Sequence, residues 1–180
     1  MNKPNEALAY ATTHANRYLA WCGEIASSPY TPLDMMEFAI ISVQCRMPYA
    51  IEGFLATRLL VSEEEIAEAL RQARVLNSAK KASYIMQIRQ RDDALPVLNG
   101  IHYRQRQDIP GLKHTKLSFA VTLSYPFDSA VCCLDTHVAR HYGQDGKVLS
   151  QSIKLYEKVE SQVRDEAAQA RLPIFAYQWA

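Results

Sequence analysis

The sequence predicts an all-α protein, and three observations support this fold class. Apolar residues recur at spacings of three and four through most of the 180 residues, as they do along one face of a helix. Helix start signals, in which Ser, Thr, Asp or Asn stands just before an apolar run, occur repeatedly. The apolar–polar alternation of half-buried strands is absent from the sequence. We therefore expect a compact domain of about eight to ten helices.

The first well-marked helix of the chain is predicted to begin after Thr31, which suits an N-cap. Pro32 then takes the first helical position and Asp34 lies in the first turn. The next helix is predicted to begin at Pro48. The apolar face predicted from the first helix onward consists of Met36, Ala39, Ile40, Val43 and Met47.

Two more helices follow capping signals of their own. Ser62 and Glu65 have the spacing of a capping box, and Asn77 with Ser78 opens a helix that extends to about Arg91. Residues 91–111 are the least regular stretch. They contain two prolines and two glycines: Pro96, Gly100, Pro110 and Gly111.

The rest of the chain is predicted to form a helix from about residue 115, a short helix after Asp135, and one long C-terminal helix. The long C-terminal helix is expected to present one apolar face, made of Leu149, Ile153, Tyr156, Val159, Val163, Ala167 and Ala170. No repeat or linker interrupts the sequence, so we expect one domain over residues 1–180.

Composition narrows the class of protein. Hydrophobic residues make up 48% and charged residues 22%, as in a soluble globular protein. No apolar run approaches the roughly 18 residues of a membrane span, and the N-terminus lacks a signal-peptide pattern, so a cytoplasmic protein is expected. The four cysteines show no metal-ligand spacing with the histidines and are predicted to be buried thiols. We therefore expect no bound metal and no iron–sulfur cluster.

The net charge of +1 conceals a basic block in the middle of the chain. Residues 71–116 carry ten Lys and Arg side chains against three Asp, a net charge of +7. Such a block is compatible with a solvated helix surface or with a surface that binds a polyanion. Both interpretations stay open on charge alone.

Asp135 follows an apolar run and precedes the predicted short helix. Aspartate is a good N-cap there, because its carboxylate accepts the free backbone N–H groups of the first turn. A carboxylate held at a helix N-terminus is also suited to face a developing positive charge. The residue has these two possible roles.

Lys116 follows a Pro-Gly turn at the predicted start of a helix. The turn exposes backbone N–H groups that can bind phosphate. Apolar neighbours and the nearby Lys113 and His114 favour a neutral, nucleophilic amine, although a lysine that extends to solvent is the alternative.

Four segments in order give the chain its resemblance to a known family. The early helix MEFAIISVQC contains a Ser-x-Gln, ARVLNSAKKASYIMQI contains a Lys-Ala-x-x-Ile, and IPGLKHTK is followed, nineteen residues after its lysine, by the aspartate of LDTHVARHYG. Together they resemble the helix–hairpin–helix DNA glycosylases, the superfamily of endonuclease III and the 8-oxoguanine glycosylases. The ending YEKVESQVRDEAAQARLPIFAYQW is similar to that of compact members.

The resemblance implies a compact all-helical member with a hairpin at about residues 105–125, an aspartate loop at about 130–143, and neither a β-domain nor an iron–sulfur cluster. It implies a DNA repair glycosylase with AP-lyase activity, acting as a monomer on double-stranded DNA that contains a damaged or modified base. An oxidised purine such as 8-oxoguanine is the expected substrate. Lys116 would form the Schiff base and Asp135 would assist it, with no cofactor. The residues implied in DNA binding are Gln44, Gly111, Lys113, His114 and Arg140.

The hairpin departs from the family pattern at one point. Counted from Gly111, the usual lysine position falls on Thr115, so Lys116 is one residue late. A hairpin longer by one residue restores the usual separation from Asp135. The alternatives are a hydrolytic glycosylase, a transferase or pyrophosphorylase acting on a modified base, and a DNA-binding module without activity.

Overall fold

The computed structural model describes residues 9–91 and 109–178, and within these ranges the protein is helical with no strand, which confirms the all-α prediction. Residues 9–13 form a first helical stretch. We number the ten helices that follow it as α1 (Ala15–Ala26), α2 (Pro32–Ile41), α3 (Met47–Thr57), α4 (Glu63–Gln72), α5 (Ser78–Arg89), α6 (His114–Ser124), α7 (Thr136–His141), α8 (Gly146–Gln151), α9 (Ile153–Ala170) and α10 (Ile174–Gln178). No helix in the described ranges is long and apolar enough to cross a membrane.

The chain forms two compact units, which we name by their place in the sequence. The central unit is Tyr30–Ala120, and the terminal unit combines Met1–Pro29 with Val121–Ala180. That residues 1–180 form one domain stays a prediction. An unfolding experiment tests it, because one domain should unfold in a single transition and two domains in two.

Helix α2 begins as the sequence predicts. The Thr31 side chain accepts a hydrogen bond from the backbone N–H of Asp34, and the Asp34 carboxylate accepts one from the Thr31 N–H at 2.7 Å. This reciprocal capping box satisfies donors that the first turn leaves unpaired. The predicted apolar face does not extend to Met47, because α2 ends at Ile41 and Met47 is the exposed first residue of α3.

Helices α4 and α5 begin where the sequence predicts, but only Ser62 caps its helix, because the Asn77 side chain makes no capping hydrogen bond. The Ser62 hydroxyl accepts the Glu65 N–H at 3.2 Å ahead of α4. Asn77 precedes α5 in a left-handed conformation with φ of 56°, which asparagine tolerates better than most residues. Helix α5 ends at Arg89, two residues before the predicted end.

A buried ion pair joins α5 to α2 within the central unit. The Arg89 guanidinium donates two hydrogen bonds of 2.7 Å to the carboxylate of Glu37, which is 3% exposed. Arg89 also donates to the backbone carbonyl of Leu60. Because both charges are paired and further hydrogen-bonded, removing either partner alone should cost about 3–5 kcal/mol. The pair fixes the position of α2, whose C-terminal end carries the candidate site described below.

The terminal unit encloses its own apolar core, and its last long helix differs from the prediction. The chain breaks at Ser152, whose extended backbone separates α8 from α9 and whose hydroxyl accepts the Leu155 N–H at 3.4 Å. Leu149 therefore lies on a separate helix from the rest of the predicted apolar face. Buried side chains of this core include Tyr18, Cys22, Cys132, Leu149, Tyr156, Val159, Val163 and Phe175.

A glycine ends helix α7. Gly143 has φ of 68° and donates its N–H to the Arg140 carbonyl at 3.0 Å, while the Gln144 N–H donates to the Ala139 carbonyl at 2.9 Å. These two bonds form a Schellman motif, in which a left-handed residue satisfies the last carbonyls of a helix.

Glu166 lies buried on α9 between two tyrosines. The Tyr142 hydroxyl donates to its Oε2, and the Tyr177 hydroxyl donates to the same oxygen at 2.9 Å. Burial, followed by the hydrogen bond to Glu166, raises the pKa of both phenols. The cluster joins α9, α10 and the end of α7 through satisfied polar groups.

Candidate functional site

The turn that leads into α6 is closed by Gly111. The Leu112 N–H donates to the Ile109 carbonyl at 3.1 Å, and Gly111 has φ of 75°, in the left-handed region. A Cβ at this position would lie 2.5 Å from Cδ2 of Tyr84 on α5. Glycine is thus required both by the backbone conformation and by the adjacent ring. The predicted hairpin began at about residue 105, and residues 105–108 lie outside the described ranges.

Helix α6 begins immediately after this turn. The carbonyl of Lys113 accepts the Leu117 N–H at 2.8 Å, so the helical hydrogen bonding starts at Lys113. The Lys113 side chain is exposed, and His114 is half-buried. Lys116 is the third residue of α6, with the buried residues Leu117 and Phe119 directly after it.

The Lys116 amine lies against the C-terminal end of α2. Its Nζ is 2.7 Å from the Ser42 hydroxyl oxygen and 3.4 Å from the Ser42 carbonyl. The same nitrogen lies 5.0 Å from the ring centre of Phe119. The Ser42 hydroxyl donates its own hydrogen to the Ala39 carbonyl at 2.9 Å. The amine is therefore held by an oxygen acceptor and an aromatic face, in a half-buried position.

A second lysine binds the same end of α2. Lys81, which is 4% exposed, donates from Nζ to the carbonyls of Ile41 at 2.8 Å and Val43 at 2.6 Å. Burial lowers the pKa of this amine, and the nearby charge of Lys116 lowers it further. Beyond these carbonyls, Gln44 is exposed and left-handed, with φ of 50°. Residues 41–44, which we name the α2 terminus, thus receive two amines.

Asp135 caps helix α7 as predicted. Its Oδ1 accepts the backbone N–H groups of His137 at 2.8 Å and Val138 at 2.9 Å. Its other carboxylate oxygen, Oδ2, accepts no hydrogen bond from the part of the chain that the structure describes. Oδ1 therefore caps the helix, and Oδ2 is bonded to no described protein group. Asp135 can thus act as a helix cap and still face a developing positive charge.

The segment before Asp135 is held by side chains from the C-terminal helices. Three successive N–H groups donate to them: Cys132 to Glu160 Oε1 at 2.9 Å, Cys133 to Gln178 Oε1 at 2.8 Å, and Leu134 to the Tyr156 hydroxyl at 3.0 Å. The Tyr156 hydroxyl in turn donates to the Cys132 carbonyl at 2.8 Å. Because buried N–H groups need partners, these side chains fix the extended segment in place.

The predicted site residues divide between the two units. Gln44, Gly111, Lys113, His114 and Lys116 belong to the central unit, where Ser42 links the amine of Lys116 to the α2 terminus. The terminal unit holds the other two predicted residues, Asp135 and the exposed Arg140, both at helix α7.

Sequence reasoning missed two residues of this site, Ser42 and Lys81. Both stood in segments that carry the resemblance, as the serine of Ser-x-Gln and the lysine of Lys-Ala-x-x-Ile. Helical periodicity gives no reason to expect either polar group among buried residues, so the motif positions were the only signal.

The basic block of residues 71–116 offers fewer cations to a polyanion than its composition suggests. Arg71 pairs with Glu68, Arg89 pairs with Glu37, and Lys81 is buried. Arg104 and Arg106 lie outside the described ranges. Burial explains the difference for Arg89 and Lys81, which would have to give up buried partners to reach a phosphate. The exposed pair of Arg71 with Glu68 is weak and leaves Arg71 able to bind one.

The central unit supplies a half-buried amine, that of Lys116, and the terminal unit supplies a capped carboxylate, that of Asp135. Among residues 9–91 and 109–178, no three His, Cys, Asp or Glu side chains are grouped so that they could hold a metal ion. A scan against protein-family models gave no match, and comparisons with curated proteins and with solved structures gave no significant match either.

Proposed function

We propose that this protein is a DNA glycosylase with AP-lyase activity that excises a damaged base, an oxidised purine such as 8-oxoguanine, from double-stranded DNA. The observation that carries the proposal is the Lys116 amine, held half-buried at 2.7 Å from Ser42 and followed nineteen residues later by a capped aspartate. The resemblance of four segments to the helix–hairpin–helix glycosylases supplies the substrate class.

Lys116 has the surroundings of a nucleophilic amine. The buried Leu117 and Phe119 reduce its contact with water, and Lys81 brings a second amine to the same helix end. The proposed reaction uses the neutral form of the amine, because only the neutral amine has the lone pair that attacks carbon. In the proposed reaction, the Lys116 nitrogen bonds to C1′ while the glycosidic bond breaks and its electron pair leaves with the base.

The protons of this reaction balance within the amine, the base and the sugar. The nitrogen loses one proton, which neutralises the departing base. Opening of the sugar ring then moves the remaining N–H proton to O4′ and leaves an imine at C1′, from which β-elimination breaks the strand.

Asp135 would stabilise the positive charge that grows at C1′ as the base departs. Its Oδ1 is occupied by two backbone N–H groups, which fixes the carboxylate, and Oδ2 accepts nothing from the described chain. A fixed anion needs no reorganisation during the reaction and therefore stabilises a cationic transition state efficiently. The proposal requires Asp135 and Lys116 to act on one deoxyribose.

Binding to the DNA backbone would use the exposed polar side chains near these residues. Lys113 lies at the Pro-Gly turn, where the first N–H groups of α6 begin, and Arg140 lies in the last turn of α7. Gln44, exposed at the end of α2, would contact the space left by the flipped base. Affinity for undamaged duplex should then fall steeply with salt, following release of counterions from several phosphates.

Borohydride trapping on a panel of damaged duplexes tests the proposal. Sodium borohydride reduces the imine, so wild type should give a covalent protein–DNA adduct on an oxidised-purine duplex. Lys113→Gln is the matched control, since it removes a neighbouring exposed amine, and it should still be trapped. Lys116→Gln should bind DNA and give no adduct.

The other outcomes of this experiment select the alternatives. Base release without an adduct would indicate a hydrolytic glycosylase. Exchange of a modified base without strand cleavage would indicate a transferase, and binding without chemistry on every substrate would indicate a DNA-binding module. An adduct that survives in Lys116→Gln and is lost in Lys113→Gln would overturn the choice of nucleophile.

A further inference from the structure

We infer that the outer face of helix α3 is the interface of a homodimer, in which a second copy of this chain packs against that face in the antiparallel direction. This inference goes beyond the proposed function and does not depend on it, because the interface can be measured without DNA. The resemblance implies a monomer, so the oligomeric state in solution decides between the two expectations.

Helix α3 is apolar on its outer side as well as on its inner side. The inner side is buried and consists of Ala50, Gly53, Phe54 and Thr57. On the outer side, Met47, Ile51 and Leu55 follow one another at spacings of four residues and are 44%, 46% and 53% exposed. Glu52 is the single charged residue of the helix. Because a helix that is apolar all round is normally buried on every side, the outer face of α3 is suited to a partner.

The exposed apolar row continues past the end of the helix. Leu59 follows Leu55 by four residues, and the intervening Arg58 keeps a helical conformation, with φ of −58° and ψ of −26°. Leu59 and Val61, in the connection to α4, are 83% and 80% exposed. We name the whole set the α3 patch: Met47, Ile51, Leu55, Leu59 and Val61.

The area of the α3 patch suits a dimer. Its five side chains together expose roughly 600 Å² in each copy, which is the upper end for the largest apolar patch of a typical monomer. Two patches packed face to face would bury about 1,200 Å², the size at which specific protein interfaces begin. The patch therefore has enough area for a weak but specific dimer.

The charges around the α3 patch differ between its two ends. Arg46 is exposed and directly precedes Met47 at one end. Glu63 and Glu64 are exposed at the start of α4, just after Val61, at the other end. None of these three charges forms an ion pair within residues 9–91 and 109–178. In an antiparallel pair, Arg46 of each copy faces Glu63 and Glu64 of the other, and two-fold symmetry makes this contact twice.

The same charges disfavour DNA and lipid as the occupant. Glu52, Glu63 and Glu64 repel phosphate groups, whereas helices that lie on membranes carry Lys and Arg along the apolar face. Arg58 does not reverse this balance, because it is half-buried and its guanidinium lies 4.9 Å from the ring centre of Tyr30. A second copy of the chain offers both an apolar surface of equal size and the opposite charge at each end.

Sedimentation velocity of the DNA-free protein, between about 1 and 100 µM, tests the inference. Wild type should show a monomer–dimer equilibrium with Kd in the micromolar range, as expected for an interface of this size. Leu55→Glu places a charge in the patch of both copies and should raise Kd by about a hundredfold or more. Val148→Glu is the matched control, because Val148 is also 53% exposed but lies on α8, and it should leave Kd unchanged.

Charge reversal tests the antiparallel direction. Arg46→Glu should raise Kd roughly tenfold, because it repels the glutamates of the other copy at both ends, and Glu63→Lys with Glu64→Lys should do the same. The variant that combines all three substitutions restores opposite charges, so its Kd should return to within about threefold of wild type. All the substituted side chains are exposed, so far-ultraviolet circular dichroism should match wild type in every variant.

Three results would overturn the inference. The first is a wild type that stays monomeric at every concentration. The second is a dimer that Leu55→Glu and Val148→Glu weaken equally, which would place the interface away from the α3 patch. The third is a combined charge variant that dimerises no better than Arg46→Glu, which would exclude the antiparallel pairing.

Discussion

Replacing Gly111 with alanine tests the turn that leads into Lys116. The glycine has φ of 75°, and an added Cβ would lie 2.5 Å from Cδ2 and 3.1 Å from Cγ of Tyr84. Cγ is the root of the ring, so rotation of the ring about its own axis does not relieve the contact. The substitution therefore imposes two separate costs on the central unit, one in the backbone and one in packing.

The size of each cost follows from the geometry. An L-residue in the left-handed region loses about 1 kcal/mol, and overpacking against a fixed neighbour costs about 1–3 kcal/mol. Gly143 supplies the matched control, because its φ is 68° and an added Cβ there would meet no atom within 4 Å. Gly143→Ala should therefore lose about 1 kcal/mol of unfolding free energy, and Gly111→Ala roughly 2–4 kcal/mol.

Urea unfolding followed by far-ultraviolet circular dichroism measures both losses, each in the transition of its own unit if two transitions appear. The double variant Gly111→Ala with Tyr84→Ala removes the ring, so its loss relative to Tyr84→Ala alone should shrink to that of Gly143→Ala. Equal destabilisation by the two single glycine substitutions would refute the packing argument. A loss at Gly111 that is unchanged when Tyr84 is truncated would refute it as well.

Three further predictions concern the terminal unit. Asp135→Asn should keep its helix cap and lose most excision activity. The control Asp145→Asn alters the same kind of cap, in which the Asp145 carboxylate accepts the Lys147 N–H at 2.7 Å, and should keep full activity. Equal losses of activity in single-turnover assays would assign Asp135 a capping role alone. Arg171→Gly should raise the unfolding free energy by about 0.5–1 kcal/mol, because Arg171 ends α9 with φ of 55°, and a lower urea midpoint would contradict this. Burial and the hydrogen bond to Glu166 raise the pKa of Tyr142 above its ordinary value of 10.0, so the stability that this phenol contributes should be complete below pH 10 and decline at higher pH. Tyr142→Phe should flatten this decline in the unfolding free energy. An unchanged pH profile in the variant would show that the phenol does not cause the decline.

The helices and their first residues could be read from the sequence, because the signals for them are local. Thr31 with Asp34, Ser62 and Asp135 are all caps in the structure, and each was identified by its spacing from the apolar run that follows it. A cap depends on atoms within three or four residues, so neighbouring residues contain nearly all of the information.

Helix ends were harder to predict than helix starts. The apolar pattern continues past Ile41 to Met47 and across Ser152, and in both places the chain leaves the helix before the pattern ends. Gln44 and Arg171 adopt left-handed conformations that sequence composition does not favour for these residue types. At Arg171 the turn is closed by local hydrogen bonds, from its own N–H to the Ala168 carbonyl at 3.1 Å and from the Leu172 N–H to the Ala167 carbonyl at 3.0 Å, and apolar periodicity contains no signal for such a turn.

The polar contacts of the candidate site were the least predictable part. Ser42 is separated from Lys116 by 74 residues, and Lys81 lies 38 residues from Val43. Spacing along the chain contains no information on hydrogen bonds across such intervals. The sequence predicted the nucleophile from a turn and an apolar neighbourhood. Only the structure gives the Ser42 hydroxyl that accepts from its amine and the Lys81 amine that binds the neighbouring carbonyls.

The anchoring of residues 132–134 by Tyr156, Glu160 and Gln178 has a consequence for synthesis on the ribosome. The central unit is continuous in sequence and is complete once Ala120 has emerged, whereas the terminal unit needs residues from both sides of it. The segment before Asp135 obtains its three partners only when α9 and α10 have been made. We therefore expect a nascent chain to fold the lysine-bearing unit first and to acquire the ordered aspartate last, so that no incomplete chain carries both groups in working order.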